Sequence, residues 1–144
     1  MERIICLAIG YLFGMFQTSY IIGKIHHMDI RQYGSGNAGT TNALRTLGKK
    51  AGAMTLIGDM LKCVIAILIV DAVFKNRYQE ILPLLGMYTA AGCVLGHNFP
   101  FYLGFRGGKG IAASAGMLLA MDWRVFLICA VIFIGLVAIT RYVS

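Results

Sequence analysis

Apolar residues occur along this chain in long runs that short polar segments separate. The first run covers residues 4–25, and the second covers residues 51–74 with charges only at Asp59, Lys62 and Asp71. A helix needs roughly 20 apolar residues to cross a hydrocarbon core about 30 Å thick. The two runs therefore predict two helices that span a membrane.

Three shorter apolar segments follow. Residues 81–103 predict a third span, which Pro100 should kink or end. Residues 111–121 would reach only about 16 Å as a helix, so we expect this helix to extend through the preceding glycines or to lie below the surface. Residues 125–139 begin a last helix with room to reach Val143. The pattern predicts an all-α, polytopic membrane helix bundle of about five transmembrane or half-membrane helices, in a single domain over residues 1–144.

The composition agrees with a membrane protein. Of the 144 residues, 58% are hydrophobic and only 13% are charged, whereas a soluble domain carries about a quarter charged residues. Four cysteines lie in apolar segments without a CxxC or Cys/His pair: Cys6, Cys63, Cys93 and Cys129. We interpret them as small buried hydrophobic residues and expect no metal site.

The basic residues predict an orientation. The net charge is +7, but no basic helix or stacking platform accompanies it, so we expect no nucleic-acid partner. With the N-terminus outside, the inner loops carry Lys24, Arg31, Arg45, Lys49, Lys50, Arg106, Lys109 and Arg141. The outer side carries Arg3, Lys75, Arg77 and Arg124. Because positive charge favours the cytoplasmic side, the polar loops are predicted to face the cytoplasm.

The first polar loop reads GSGNAGTTNALRTLG over residues 34–48. Its glycines let backbone amides approach an anion, and Thr40 is predicted to open a short helix whose N-terminus favours phosphate. Arg45 offers a planar fork for phosphate oxygens. Further donors are Ser35, Asn37, Thr40, Thr41 and Asn42. The alternative is a polar connection with Gly48 as a helix C-cap, and this loop alone favours neither interpretation.

The second polar loop reads GHNFPFYLGFRGGKG over residues 96–110. Lys109 is flanked by glycines and is a flexible point charge beside exposed amides, although the sequence fails as a Walker A motif. Two such loops predict a substrate with two phosphates or two phosphorylated substrates. His97 is a candidate general base or phosphate ligand, but a lone histidine at a helix end is more often structural.

Asp59 and Lys62 are three residues apart on one predicted helix. They can pair inside the membrane, where ionisable groups are costly and usually functional. Because the pair neutralises itself, we favour an ion pair that locks the helix.

These motifs resemble a known family. The sequence contains GSGNxGxTN from Gly34, DxxK from Asp59, GHxFP from Gly96 and FRGGKG from Phe105. In this order and spacing they are similar to the PlsY-type acyl-phosphate:glycerol-3-phosphate acyltransferases, over essentially the whole chain.

The resemblance implies a bacterial inner-membrane enzyme that moves an acyl group from acyl phosphate to glycerol 3-phosphate, giving lysophosphatidic acid and phosphate without a metal or cofactor. Membrane lipid is the third expected partner. The implied catalytic residues are Ser35, Arg45, His97 and Lys109. The implied substrate-binding residues are Gly36, Asn37, Gly39, Thr41, Asn42, Gly107, Gly108 and Ser144.

The sequence departs from the family pattern in one large respect. Members of the family continue past the position of Ser144 with further membrane segments and a third cytoplasmic motif. One alternative is therefore a truncated, non-catalytic membrane protein that binds phospholipid precursors, and another is a small transporter that uses Asp59 and Lys62. We also expect an exposed apolar flank, covered by lipid, by a second copy or by a separate C-terminal fragment.

Overall fold

Residues 1–143 are described by a computed structural model, and their regular structure is entirely helical. The seven α-helices are α1 (Glu2–Gly14), α2 (Thr18–Ile25), α3 (Thr40–Leu47), α4 (Lys49–Phe74), α5 (Leu82–Asn98), α6 (Ile111–Met121) and α7 (Trp123–Thr140). Single 3-10 turns lie at Ile30–Gln32, Gln79–Ile81 and Phe101–Leu103. The predicted all-α membrane bundle is confirmed.

Three helical stretches in the described chain are long and apolar enough to cross a membrane: Glu2–Ile25, Lys49–Phe74 and Trp123–Thr140. Helix α5, which corresponds to the predicted third span, has 17 residues and a 3-10 turn near each end. It ends at Asn98, as predicted from Pro100, because the residue before a proline is driven out of the helical region. The short α6 begins only at Ile111, so its predicted extension through the loop glycines is wrong.

The first span differs from its prediction as one continuous helix. It breaks between Gly14 and Thr18, and Gln17 has an extended backbone with φ −106° and ψ 94°. The polar run from Gln17 to Ser19 was the available signal for this break. A mean hydropathy taken over the whole apolar run hides this signal.

The break leaves backbone carbonyls outside any helix, and side chains from other elements satisfy them. The Nζ of Lys62 donates to the carbonyls of Gly14, at 3.0 Å, and Phe16, at 2.6 Å. The hydroxyl of Tyr102 donates to the carbonyl of Met15 at 2.6 Å. Since lipid offers no donors, these bonds allow the chain to bend inside an apolar layer.

Helices α1 and α5 pack closely because small residues face each other across the contact. A Cβ added at Gly10 or Gly14 would overlap backbone atoms of α5, and one added at Gly92 or Gly96 would overlap backbone atoms of α1. All four glycines are buried. Small residues at a helix contact allow the close backbone approach that drives association in membranes.

Helix α4 is the centre of the bundle and contacts α1, α2, α3, α5 and α6. One apolar cluster at its contact with α5 contains Cys63, Ile67, Ala90 and Cys93. Three of the four cysteines are buried, as expected, but Cys129 is exposed. That expectation was wrong because Cys129 lies on α7, which has no buried residue and packs mainly against α6. The apolar flank that the sequence predicts is thus the surface of α7. That lipid, a second copy or a separate fragment covers this surface stays a prediction.

Substitution of Gly10 by alanine is expected to destabilise the bundle. The added Cβ would meet the carbonyl oxygen of Thr89, and such overpacking typically costs about 1–3 kcal/mol. Thermal unfolding in detergent measures the effect. Gly135→Ala is the matched control, since no atom outside its own helix lies within 4 Å of a Cβ there. Equal unfolding midpoints for the two variants would contradict close α1–α5 packing.

Candidate functional site

The first glycine-rich loop is shaped by a buried amide. Asn42 is 1% exposed, and its Oδ1 accepts from the backbone amide of Ser35 at 2.9 Å. Its Nδ2 donates to the carbonyls of Ile30 and Tyr33, at 3.1 and 3.0 Å. A Cβ at Gly34 would overlap Oδ1 of Asn42. These bonds engage both polar atoms of the amide, so Asn42 supports the loop.

The second loop folds back onto the end of α5. The amides of Gly107 and Gly108 donate to the carbonyls of Asn98 and His97, at 3.1 and 3.0 Å. These carbonyls lie in the last turn of the helix and have no partner within it. A Cβ at Gly107 would overlap the carbonyl of His97. Glycine is therefore required for the close approach that places Lys109 and the start of α6.

The two loops are joined to each other. The amide of Ala38 donates to the carbonyl of Gly107 at 3.3 Å, and Nη1 of Arg31 donates to the carbonyl of Leu103 at 2.7 Å. Arg31 is held by the carboxylate of Asp29, which accepts from its Nε and Nη2. Both loops thus lie at the same end of the bundle. That this end faces the cytoplasm stays a prediction.

A cavity of about 160 Å³ opens between the loops. Its lining comprises Asn37, Gly39, Thr40, Thr41, Leu56, Asp59, His97, Lys109, Gly110, Ile111, Ala112, Phe133 and Val143. The first residues of both α3 and α6 are among them. Because helix N-termini present unpaired amides and partial positive charge, their convergence with Lys109 suits an anion. The hydroxyl of Thr40 is buried without a hydrogen-bond partner in the described chain.

The cavity unites some of the predicted site residues and omits others. Asn37, Gly39, Thr41, His97 and Lys109 line it. Ser35, Gly36, Asn42, Arg45, Gly107 and Gly108 lie outside its lining, and Ser144 lies outside the described residues. The two predicted phosphate-binding loops therefore contribute to one cavity. The short helix from Thr40 and its C-cap at Gly48 are both present, and phosphate binding by the first loop stays a prediction.

A buried charged cluster lies beneath the cavity. Nζ of Lys62 is 3.1 Å from Oδ1 of Asp59 and 2.8 Å from Nδ1 of His97. Asp59 also accepts from the hydroxyl of Thr18 at 3.1 Å, and the carbonyl of His97 accepts from Nε2 of Gln17 at 2.8 Å. The predicted ion pair is present, but it joins the α1–α2 break, α4 and α5. The interpretation that this pair locks only α4 was therefore too narrow.

Several residues that hold the site were not singled out from the sequence. Gln17 and Thr18 anchor the helix break to the charged cluster. Tyr102, from the second loop, donates a hydrogen bond to a carbonyl of the same break. Asp29 and Arg31 join the loops. Polar side chains within or just after apolar runs were the available signal, but most of their partners are distant in sequence.

The sequence matches the family model described as glycerol-3-phosphate acyltransferase over residues 4–144. The chain is 54% identical to a glycerol-3-phosphate acyltransferase of Clostridioides difficile (strain 630) over 143 residues, which is 98% of this chain and 69% of the relative. It is 46% identical to one from Lactiplantibacillus plantarum, over 100% of this chain and 67% of the relative.

Two solved structures are also similar to this chain. PlsY (YgiH), an integral membrane glycerol 3-phosphate acyltransferase, in its glycerol 3-phosphate form has a TM-score of 0.80 and 33% identity, covering 96% of this chain and 66% of PlsY. The lysophosphatidic acid form has a TM-score of 0.77 and 33% identity, covering 95% and 65%. The chain thus spans about two thirds of the length of the proteins it matches.

Replacing Lys62 by methionine is expected to destabilise the fold strongly. The change leaves the buried carboxylate of Asp59 and two carbonyls of the helix break without their donor, and breaking a buried pair costs about 3–5 kcal/mol. Unfolding in detergent measures the loss. The double variant Asp59→Asn/Lys62→Met should recover part of it, because no uncompensated charge remains. A double variant less stable than Lys62→Met would contradict the proposed pairing.

Stability should depend on pH through Asp29. The hydrogen bond from Arg31 lowers the pKa of the Asp29 carboxyl, so its contribution is complete above its ordinary pKa of about 3.9 and is lost as the pH falls through the lowered value. At pH 7, Asp29→Asn should cost about 1–2 kcal/mol in unfolding free energy. The gap to wild type should close under acid conditions. Glu80→Gln, at the opposite end of the bundle, is the control, and a gap that widens in acid would contradict the assignment.

Proposed function

Because the chain belongs to the glycerol-3-phosphate acyltransferase family, we propose that it transfers an acyl group from acyl phosphate to glycerol 3-phosphate. The glycerol hydroxyl oxygen attacks the acyl carbon, and the bond from that carbon to the phosphate oxygen breaks. The hydroxyl proton passes to the departing phosphate. The products are lysophosphatidic acid and inorganic phosphate.

The observation that carries this proposal is the cavity between the loops. It combines the cation of Lys109 with the N-termini of α3 and α6, and each of these features favours a phosphate group. Charge that develops on a departing phosphate would meet donors already in position. No nucleophile from the protein is needed, because acyl phosphate is an activated mixed anhydride.

The two substrates divide the residues between them. We assign one phosphate to Lys109 and the cavity edge formed by Asn37, Gly39 and Thr41. Ser35 and Arg45 are exposed outside the cavity lining, where they are available to the phosphate of the second substrate. Gly36, Gly107 and Gly108 allow the loop backbones to lie close to both phosphates. Asn42 acts through the loop shape, and Ser144 remains a proposed contact from the resemblance alone.

The identity of the substrates has separate supports. Glycerol 3-phosphate and lysophosphatidic acid are the ligands named for the two PlsY structures that this chain resembles. Acyl phosphate as the donor is supported by the cavity between the loops, where Lys109 and two helix N-termini favour a phosphate group.

The cellular setting belongs to the same proposal. Apolar spans and the resemblance to an integral membrane protein support a bilayer location. We assign the chain to the bacterial plasma membrane with both loops in the cytoplasm, because Lys and Arg are concentrated at the loop end. Soluble glycerol 3-phosphate would enter from that side.

Substitution of Lys109 by alanine is expected to lower kcat/KM about 10- to 100-fold, since a hydrogen bond to a charged group contributes about 1.5–3 kcal/mol. The assay follows labelled lysophosphatidic acid formed from palmitoyl phosphate and glycerol 3-phosphate by the chain in lipid. Lys75→Ala is the matched control, because Lys75 is exposed at the other end of α4 and should leave the rate unchanged.

Three outcomes would contradict the proposal or part of it. Transfer from palmitoyl-coenzyme A but not from palmitoyl phosphate would assign a different donor. Binding of glycerol 3-phosphate without any product, by a folded wild-type chain, would assign a binding protein. Equal losses in Lys109→Ala and Lys75→Ala would remove Lys109 from the site.

A further inference from the structure

The two ring nitrogens of His97 have different surroundings. Nδ1 lies 2.8 Å from Nζ of Lys62. An ammonium group has three donors and no acceptor, so Nδ1 must accept this hydrogen bond. The proton of the neutral imidazole is then on Nε2. Lys62 therefore selects one of the two neutral tautomers of His97.

Lys62 has no freedom to release this nitrogen. Its ammonium group also contacts Oδ1 of Asp59 and the carbonyls of Gly14 and Phe16, so four acceptors lie within 3.1 Å of Nζ and share its three hydrogens. Lys62 is 5% exposed and His97 is 2% exposed. Water therefore offers little competition for the bond. The cluster fixes both the tautomer and the orientation of the ring.

Nε2 lies on the side of the ring that faces the second loop. A Cβ added at Gly108 would overlap Nε2 of His97, so only a glycine at this position leaves the nitrogen room. The ring lines the cavity together with Lys109 and the first residues of α3. Within residues 1–143, Nδ1 is the ring nitrogen that forms a side-chain hydrogen bond. Because Lys62 engages Nδ1, Nε2 is the ring nitrogen left to donate to a ligand in the cavity that His97 lines.

We propose that Asp59 and Lys62 hold His97 as an Nε2–H donor, and that this N–H binds a phosphoryl oxygen of the phosphorylated substrate. His97 is then a catalytic residue that donates a hydrogen bond, and Lys62 is a positioning residue. The inference rests on the proposed function for the identity of the ligand. It does not rest on that function for the tautomer, which the charged cluster alone determines.

The same geometry excludes His97 as a general base for the glycerol hydroxyl. A base on the cavity side would need an unprotonated Nε2, but that nitrogen holds the proton of the neutral ring. Acceptance of a second proton would create an imidazolium in contact with the ammonium of Lys62 in a buried site, and two like charges at this distance disfavour each other strongly. The hydroxyl proton therefore has to leave by another route, and the phosphate of the donor supplies one.

Amide substitutions separate the two nitrogens. His97→Gln can place an N–H close to the position of Nε2, whereas His97→Asn can keep an acceptor close to Nδ1 for Lys62 but has no group at Nε2. We expect His97→Gln to retain kcat/KM within about 10-fold and His97→Asn to lose about 100-fold or more, the size of a lost donor to developing negative charge. Thermal unfolding of both variants identifies any loss that reflects folding.

Kinetics also distinguish the source of the phosphate. A higher KM for palmitoyl phosphate in His97→Asn assigns the N–H to the donor, and a higher KM for glycerol 3-phosphate assigns it to the acceptor. Full activity in His97→Asn with loss in His97→Gln would overturn the proposal, because the Nδ1 side would then be the one that matters. Full activity in both variants would also overturn it.

Nitrogen-15 NMR of labelled histidine tests the tautomer without catalysis. His97→Gln identifies the His97 signals among those of the exposed His26 and His27. Two-bond proton–nitrogen correlations should give a protonated Nε2 and an unprotonated Nδ1 in the wild-type chain, and inorganic phosphate or glycerol 3-phosphate should shift the Nε2–H signal. A protonated Nδ1, or an Nε2–H signal indifferent to both ligands, would overturn the inference. If the wild-type chain makes no product but shows the expected tautomer and shift, only the proposed reaction fails.

Discussion

A backbone carbonyl inside an apolar layer must receive a hydrogen bond, and this requirement organises the structure around Lys62. The first span bends between α1 and α2, which frees carbonyls that no helix can satisfy. Lys62 reaches two of them from α4 and Tyr102 reaches a third from the second loop. The bend is therefore possible only when α1, α4 and the loop after α5 are all in place, and it joins the membrane core to the loop end.

The same lysine connects the fold to the site. Asp59 neutralises Lys62 within one turn of α4, so the cluster adds no net charge to the apolar layer and avoids the larger cost of an isolated ion. The ammonium group also contacts Nδ1 of His97, whose ring lines the cavity above. The lysine that satisfies the helix break thus also contacts a residue that lines the cavity. Damage to the fold and damage to the site would be difficult to separate by deleting Lys62, whereas changes at His97 leave the helix break intact.

The loop end depends on close backbone contacts. The second loop returns its amides to the last carbonyls of α5, and the first loop is shaped around the buried amide of Asn42. These bonds bring the N-termini of α3 and α6 to one cavity beside Lys109. Many of the glycines in the two motifs are therefore explained by space for backbone and ring atoms. The positive charge at the cavity comes from Lys109 and from the helix ends.

The sequence by itself determined the membrane class, the approximate helices, the two loops and the family, because long apolar runs and short motifs are local properties of the chain. It also indicated the Asp59–Lys62 pair, whose spacing lies within one helix. It did not determine the break at Gln17, the single cavity, or the partner of His97. Those depend on atoms that are distant in sequence, such as Lys62 with Gly14 or Ala38 with Gly107. Only tertiary packing decides which donor meets which carbonyl, and which nitrogen of His97 contacts Lys62.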